Sequence, residues 1–297
     1  MFGFFIAGGL KILMMSQTMH LYCISIVSET IEDIEMIKLA ITGACGRMGQ
    51  RIVALAHESG NFVITGALEY SGHEKMGVDI GEIAGITSLG IAVNDSQSAA
   101  SEVMIDFTTP ESTEKWLAYC LDQKVAMVIG TTGLSDVQRR AIENAGKMIP
   151  IVLAANMSLG MNLLFKLAKE IAQTLDDSYD IEIDETHHRF KVDAPSGTAM
   201  ELARQVAAGK TWPFPDCLKH GREGNDPRED KTIGMHALRL GDTFGIHNVR
   251  FSCLGETVTL QHTAHSRDTF VRGALRAAQW VVNQQPGFYS MFDVLGL

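Results

Sequence analysis

Short apolar runs recur along the first half of the chain: Ile37–Thr42, Phe62–Leu68, Val103–Phe107, Val125–Ile129 and Ile151–Ala155. Each has the length of a buried strand and is too short for a core helix. Between them the spacing becomes helical, as in Gln50–Ser59, where Ile52, Val53 and Leu55 fall on one side. Another helix, opened by Thr108-Thr-Pro-Glu-Ser-Thr113, runs through Trp116 and Leu117. Strand alternating with helix predicts a parallel sheet covered on its faces.

From about residue 158 the pattern changes. A helix carrying Leu163, Leu164 and Leu167 is followed by Tyr179–Ile183, His236–Arg239, Asn248–Cys253 and Glu256–His262. These strands predict a mixed or antiparallel second sheet. Trp212–Arg228 is rich in Pro and Gly and predicts a loop. Ser266–Val282 has helical spacing, with Phe270, Ala274, Leu275 and Ala278 on one side.

With 297 residues there is room for two domains, each with its own core. Charged residues at 20% and apolar residues at 46% describe a globular chain rather than a disordered one. The net charge of -10 argues against general nucleic-acid binding, which needs clustered cations. Five widely spaced cysteines, Cys23, Cys45, Cys120, Cys217 and Cys253, contain no CxxC pair, so neither a disulfide framework nor a zinc knuckle is indicated. No metal-ligand set is evident, and a reducing cytoplasm fits best. Residues 1–36 stand apart: Met1–Leu10 is apolar, but no cationic stretch precedes it, and it is far shorter than the ~20 residues of a membrane helix. The expectation is a poorly ordered extension and no membrane contact. Translation starting at Met36 is a related expectation.

Gly43-Ala-Cys-Gly-Arg-Met-Gly49 joins the first strand to the first helix. Such a loop lets backbone approach a pyrophosphate at a helix N-terminus. The spacing is G-x-x-G-x-x-G rather than the commoner G-x-G-x-x-G, so context matters. Glu69, about twenty residues on at the end of the second strand, would accept hydrogen bonds from a ribose hydroxyl or stand as a solvated carboxylate. The fold expected is therefore α/β: a Rossmann-type parallel-sheet dinucleotide domain plus a second α+β domain with a mixed or antiparallel sheet.

Glu185-Thr-His-His-Arg-Phe-Lys-Val-Asp-Ala-Pro-Ser-Gly-Thr198 concentrates the chemistry. His187 and His188 exchange protons near neutral pH, and Arg189 and Lys191 supply positive charge. Pro195–Thr198 reads as a turn opening a helix, predicted over Ala199–Ala208, that would bind an anion. A small dicarboxylate suits such a segment. The bland alternative is a surface loop whose cations balance Asp184, Glu185 and Asp193.

From Ile37 to the C-terminus, the glycine loop, the Gly130-Thr-Thr-Gly133 loop, the Asn156 segment and Glu185–Thr198 together resemble the 4-hydroxy-tetrahydrodipicolinate reductase family. The resemblance implies hydride delivery from NADH or NADPH to an unsaturated cyclic imine dicarboxylate in lysine and diaminopimelate synthesis. His187 would be the proton donor and Lys191 would stabilise developing charge. His188, Ser196, Gly197 and Thr198 would hold the substrate carboxylate. Cofactor contacts would come from Gly43, Ala44, Cys45, Gly46, Arg47, Met48, Glu69 and Tyr70. Further contacts would come from Gly130, Thr131 and Thr132, from Ala155, Asn156, Met157 and Ser158, and from Arg267 and Phe270. Locally, Asn156 and Ser158 read equally well as helix caps. Tyr70 stands where the family commonly has an arginine for the NADP 2′-phosphate, which favours NADH, although Arg47, His73 or Lys75 would serve in its place.

The resemblance also implies a homotetramer and a discontinuous first domain: residues 37–157 and 266–297 for the dinucleotide, and 158–265 for substrate and oligomerisation. Two alternatives stay open: another two-domain NAD(P) dehydrogenase, and a dinucleotide sensor that does no chemistry. The semialdehyde type would need a nucleophilic Cys beside a base, for which Cys120 and Cys217 have no evident His partner.

Overall fold

The computed structural model describes residues 36–297. The expected extension and the Met36 start concern residues that, Met36 apart, lie outside those described. The five apolar runs form strands β1 (Ile37–Thr42), β2 (Phe62–Leu68), β4 (Val103–Asp106), β5 (Ala126–Ile129) and β6 (Pro150–Leu153), joined by the short β3 (Val93–Asn94). With β12 (Gly287–Tyr289) they make one seven-stranded sheet in the order β12-β6-β5-β4-β1-β2-β3. All pairings in it are parallel. The chain builds outward from β1 to β3 and then returns to the other side of β1. The crevice between the C-terminal ends of β1 and β4 is therefore the switch point at which such sheets take a ligand.

Helices α1 (Arg47–Ser59), α2 (Ile80–Ile83), α3 (Pro110–Gln123) and α4 (Asp136–Ala145) complete this half. Two cores form. Ile41, Ile52, Ile105 and Val128 share one, and Met104, Trp116, Met127 and Ile151 share the other. Strands buried on both faces need unbroken apolar runs, as seen in β4 and β5, where every residue is buried.

The second half holds α5 (Leu159–Thr174), β7 (Asp180–His187), α6 (Gly197–Lys210), β8 (Leu218–His220), β9 (Ile233–Arg239), β10 (Gly245–Cys253) and β11 (Glu256–Ala264). The strands form a five-stranded sheet in the order β11-β10-β7-β9-β8. β10 runs antiparallel to β7 and β11, while β9 runs parallel to β7 and β8. The sheet is mixed, as the alternation predicts. One face packs on α5 and α6, with Ile183, Phe251, Phe165 and Leu202 in a single core.

Two boundaries differ instructively. The Trp212–Arg228 loop contains β8, an edge strand paired only to β9, a position that tolerates nearby prolines. β7 does not stop at Ile183 but continues to His187, because β10 pairs with it through Thr186 and β9 through His187. Its burial alternates, placing Ile181, Ile183, Glu185 and His187 on the inner face. The face that carries core isoleucines ends in a carboxylate and an imidazole.

Helix α7 (Asp268–Val281) packs into the parallel-sheet core through Val271, Ala274, Leu275, Ala278 and Val281, beside Ile41 and Val128. Arg51 of α1 holds Asp268 through two hydrogen bonds of 2.8 and 2.7 Å. A Cβ on Gly273 would lie 1.6 Å from the Met157 carbonyl, so α7 crosses that backbone where only glycine fits. Phe270, expected on the apolar side, is half-buried and turns to the site described next, with Val271 taking the core position. The closing β12 and α8 (Met291–Leu295) follow.

Candidate active site

The glycine loop is shaped by contacts of its own backbone. Gly43 has φ +67°, the left-handed region that favours glycine, and its carbonyl accepts from Gly46 N at 3.0 Å. A Cβ on Gly49 would come within 2.2 Å of that same carbonyl. Behind the loop, α1 begins at Gly46 with no side-chain cap and no acidic residue in its first turn. Helices α3, α4, α5 and α6 are all capped by a hydroxyl, from Thr109, Ser135, Ser158 and Ser196 respectively. The first N–H groups of α1 are thus open to an anion at the switch point, as a pyrophosphate requires. The residues present fit a dinucleotide.

Glu69 is half-buried and its Oε1 accepts from Cys45 N at 2.8 Å, tying the end of β2 to the loop. Tyr70 beside it is 67% exposed and meets His73 edge-on at 5.1 Å. Cys45, Glu69 and His73 bring one ligand-capable atom each to within 4.8 Å of one another, which their spacing did not reveal. Burial, with Glu69 nearby, pushes the Cys45 thiol up to about 11, so at neutral pH it keeps its proton.

Below the switch point sits a fully buried carboxylate. Asp106 accepts from the hydroxyls of Thr42 at 2.6 Å, Thr108 at 2.6 Å, Thr113 at 2.5 Å and Thr131 at 3.0 Å. Thr131 Oγ1 also receives Thr108 N at 2.9 Å. The Gly130–Thr132 loop is thereby fixed to β1, β4 and α3, with Thr131 buried and Thr132 exposed. A Cβ on Gly130 would come within 2.2 Å of the Phe107 ring, so Gly130 is small to admit that ring.

Next to Phe107 a cavity of about 290 Å³ opens, lined from the parallel sheet by Met48, Ala155, Asn156, Met157, Arg267 and Phe270. The opposite wall is His187, His188, Lys191, Thr198 and Phe244. Asn156 joins the walls: its Nδ2 donates to Thr198 Oγ1 at 3.1 Å, and its Oδ1 accepts Ser158 N at 2.9 Å. Ser158 is buried and caps α5, with His262 Nε2 3.2 Å from its Oγ. The Arg267 guanidinium lies 5.6 Å above the Phe244 ring.

His187 is 9% exposed, and its Nδ1 lies 2.6 Å from Glu185 Oε2. Burial lowers its pKa, Glu185 partly opposes this, and Lys191 and Arg239 add to the lowering. Burial works to raise the Glu185 carboxyl, but Arg239, His187 and Ser196 N–H outweigh it and hold it below the usual range. The resting pair is therefore an ionised Glu185 and a neutral His187. The His247 ring lies edge-on to His187 at 5.0 Å, and burial lowers its pKa to about 3.

Lys191 donates to Asp193 Oδ1 at 2.8 Å. The Asp193 carboxyl is held low first by that bond, and the Gly197 N–H at the start of α6 also faces it. Asp193 thus holds the Lys191 ammonium. Ser196 is buried, caps α6 and lies 3.2 Å from His247 Nε2. Of the expected substrate contacts, Thr198 and His188 line the cavity and Ser196 and Gly197 do not. Arg189 is exposed, near Phe190. The residue-by-residue reading missed Phe107, Phe244, Arg239 and the pairing of Glu185. Continuing the alternation past Ile183 would have placed Glu185 inward.

A parallel sheet with an open helix N-terminus at its switch point, facing an imidazole and an ammonium from a second sheet, defines an NAD(P)H-dependent oxidoreductase of two-sheet construction. The model for dihydrodipicolinate reductase, N-terminus, matches residues 37–157. That for dihydrodipicolinate reductase, C-terminus, matches residues 160–295. The chain belongs to the dihydrodipicolinate reductase family. It is 47% identical over 266 residues to the 4-hydroxy-tetrahydrodipicolinate reductase of Geobacter metallireducens, covering 88% of this chain and 100% of that protein. The corresponding enzyme of Neisseria meningitidis serogroup C is 46% identical over 265 residues, covering 88% and 98%. A dipicolinate-bound dihydrodipicolinate reductase from Paenisporosarcina sp. TG-14 superposes with a TM-score of 0.70 at 26% identity, over 87% of this chain and 98% of that one. An amine dehydrogenase from Mycobacterium smegmatis, at 13% identity and a TM-score of 0.57 over 86% and 95%, shares the fold alone. Among the described residues no helix is long and apolar enough to cross a membrane.

Proposed function

We propose that the protein reduces the cyclic imine dicarboxylate handled by its relatives to tetrahydrodipicolinate, in lysine and diaminopimelate synthesis. The observation that carries this is a cavity in which His187, His188, Lys191 and Thr198 face Asn156, Arg267 and Phe270. When bound, the reduced dinucleotide supplies a hydride, two electrons with one hydrogen. The 4-hydroxyl leaves as water to give a dihydro ring, and His187 supplies the matching proton through Nε2, so one hydride and one proton then add across one double bond of that ring. Its neutral resting state suits a donor that takes up a proton when the doubly negative substrate arrives. Lys191, released from Asp193, pairs with a substrate carboxylate or the developing charge. Thr198 Oγ and His188 hold the carboxylate, with Ser196 and Gly197 behind them shaping the start of α6. Met157, Phe107 and Phe270 exclude water from the reacting faces.

Residues 37–157 with 266–297 serve the dinucleotide, and 158–265 serve substrate and assembly into a homotetramer in the cytoplasm. NADH is the favoured coenzyme because Tyr70 offers a 2′-phosphate no charge, and Arg47 or Lys75 would admit NADPH. Coupled turnover tests the reading. Substrate is generated in situ by the preceding synthase, and oxidation of each coenzyme is followed by absorbance. Turnover lost in His187→Ala with NADH binding kept supports the assignment. A folded chain that binds NADH without turning over would instead favour a different dehydrogenase substrate or a sensor. Tyr70→Arg should move the kcat/KM ratio toward NADPH, and an unmoved ratio would remove Tyr70 from coenzyme choice.

A further inference from the structure

Glu185 has no exposed surface, yet it carries four polar contacts. Arg239 grips both oxygens, Nη1 to Oε2 at 2.8 Å and Nη2 to Oε1 at 3.0 Å. Ser196 N donates to Oε1 at 3.0 Å, and His187 Nδ1 lies 2.6 Å from Oε2. The guanidinium reaches further: its Nε donates to the Lys191 carbonyl at 3.3 Å, and its Nη2 to the Asp193 carbonyl. One fork therefore touches the carboxylate behind the imidazole and the backbone that carries the ammonium.

We infer that Glu185 and Arg239 are a positioning pair, which sets the ring orientation and tautomer of His187 and fixes the segment bearing Lys191. The inference rests on the reading of His187 as proton donor. An ionised Glu185 accepts the Nδ1–H, so Nε2 is the nitrogen left to gain and release the transferable proton. Gly245 on β10 makes room for it: a Cβ there would stand 3.1 Å from His187 Nε2. The charged and titratable groups facing the ring are Glu185 on β7, Arg239 on β9, His247 on β10 and Lys191 after β7. Glu185 is the single anion among these four, so it alone favours the imidazolium. Neither Glu185 nor Arg239 lines the cavity, which separates positioning from contact with substrate.

Glu185→Gln removes the charge and keeps the shape. The expected result is a fall in kcat of about a hundredfold, within what a positioned proton donor contributes, with NADH affinity unchanged. The acid must be protonated to act, so activity falls as pH rises through its pKa. Without the Glu185 charge that limb moves to lower pH. A limb that stays in place, however large the loss in kcat, would show a merely structural role and overturn the inference. Arg239→Lys keeps the charge but loses the fork, and should raise the substrate KM several-fold while leaving the limb near its wild-type position; an unchanged KM would detach Arg239 from Lys191. Imidazole nitrogen NMR on the full wild-type chain, with the His187 signals assigned by their loss in His187→Ala, needs no Glu185 variant to fold. A neutral His187 protonated at Nδ1 supports the pair, and protonation at Nε2 refutes it. Should His187→Ala retain turnover, the proton-donor reading fails, while the tautomer still reports on Glu185 by itself.

Discussion

The two sides of the site are built by opposite means. At the switch point of the parallel sheet, beside the cavity wall of Met48, Asn156 and Arg267, the surface open to an anion is backbone: Gly43, Gly46 and an uncapped helix start, with Gly49 packed behind them and Asp106 and its four threonine hydroxyls bracing the loops from below. On the mixed-sheet side it is side chain: His187, His188, Lys191 and Thr198, with Glu185 and Arg239 behind them. Both sides are braced by a fully buried carboxylate, one satisfied by four neutral hydroxyls and the other by the Arg239 guanidinium together with the Ser196 N–H and His187. A pyrophosphate asks for fixed N–H donors and close approach, which need the absence of a Cβ. Proton donation asks for a group whose charge changes, which needs a buried titratable side chain and a partner that responds to it. The first wall should tolerate side-chain changes and fail on added volume, and the second should do the reverse.

That contrast is broken most directly by a reciprocal pair of variants. His187→Ala should lower kcat by about 10²–10⁴-fold and leave the NADH dissociation constant, read by fluorescence titration, near wild type. Gly49→Ala puts a methyl group 2.2 Å from the Gly43 carbonyl and should destabilise by about 1–3 kcal/mol. Its loss of NADH affinity should be out of proportion to any change in binding of a substrate analogue such as dipicolinate. Equal loss of NADH binding in both variants would erase the distinction between the walls.

Acid should act on the mixed-sheet side. Glu185, His187 and His247 all have folded-state pKa values below their unfolded ones. For each, the unfolded chain binds more protons, so each contributes stability present above its unfolded pKa and lost as pH falls. For His247 the window runs from the ordinary histidine value of 6.5 down to about 3. The urea midpoint of unfolding should therefore fall as pH drops through that range, and His247→Asn should flatten the slope. A slope the variant leaves intact would place the acid sensitivity elsewhere. The smallest effect is expected at Asp193, whose pairing with Lys191 is partly exposed and worth about 0.2–1 kcal/mol. Asp193→Ala should change substrate KM by less than about fivefold, with kcat nearly constant, and a collapse of kcat would make Asp193 part of the chemistry.

Much of this was legible in the chain. The apolar runs of β4 and β5 announce strands buried on both faces, and the loss of that pattern after residue 158 announces a different sheet. His187, Lys191 and Thr198 could be singled out because their residue types have a chemistry of their own. Glu185 was missed, since a carboxylate two residues before a histidine reads as solvated unless the alternation is carried past Ile183, as the pairing of β10 and β9 with β7 carries it. Arg239 is 54 residues from its partner, and no local pattern links them. Gly130 was legible only as a cofactor contact, and its smallness is explained by the Phe107 ring, 23 positions earlier, which no local pattern pairs with it.

By itself the sequence determined the elements and the kinds of chemistry available, because periodicity and residue type act over a few positions. It could also say that the glycine loop belongs to an anion. Only the tertiary structure decided which wall each group serves, which charges are buried together, and that α7 returns to cross Met157 at Gly273. Those outcomes depend on desolvation and on packing between residues far apart in the chain, and neither exists until the two sheets have formed.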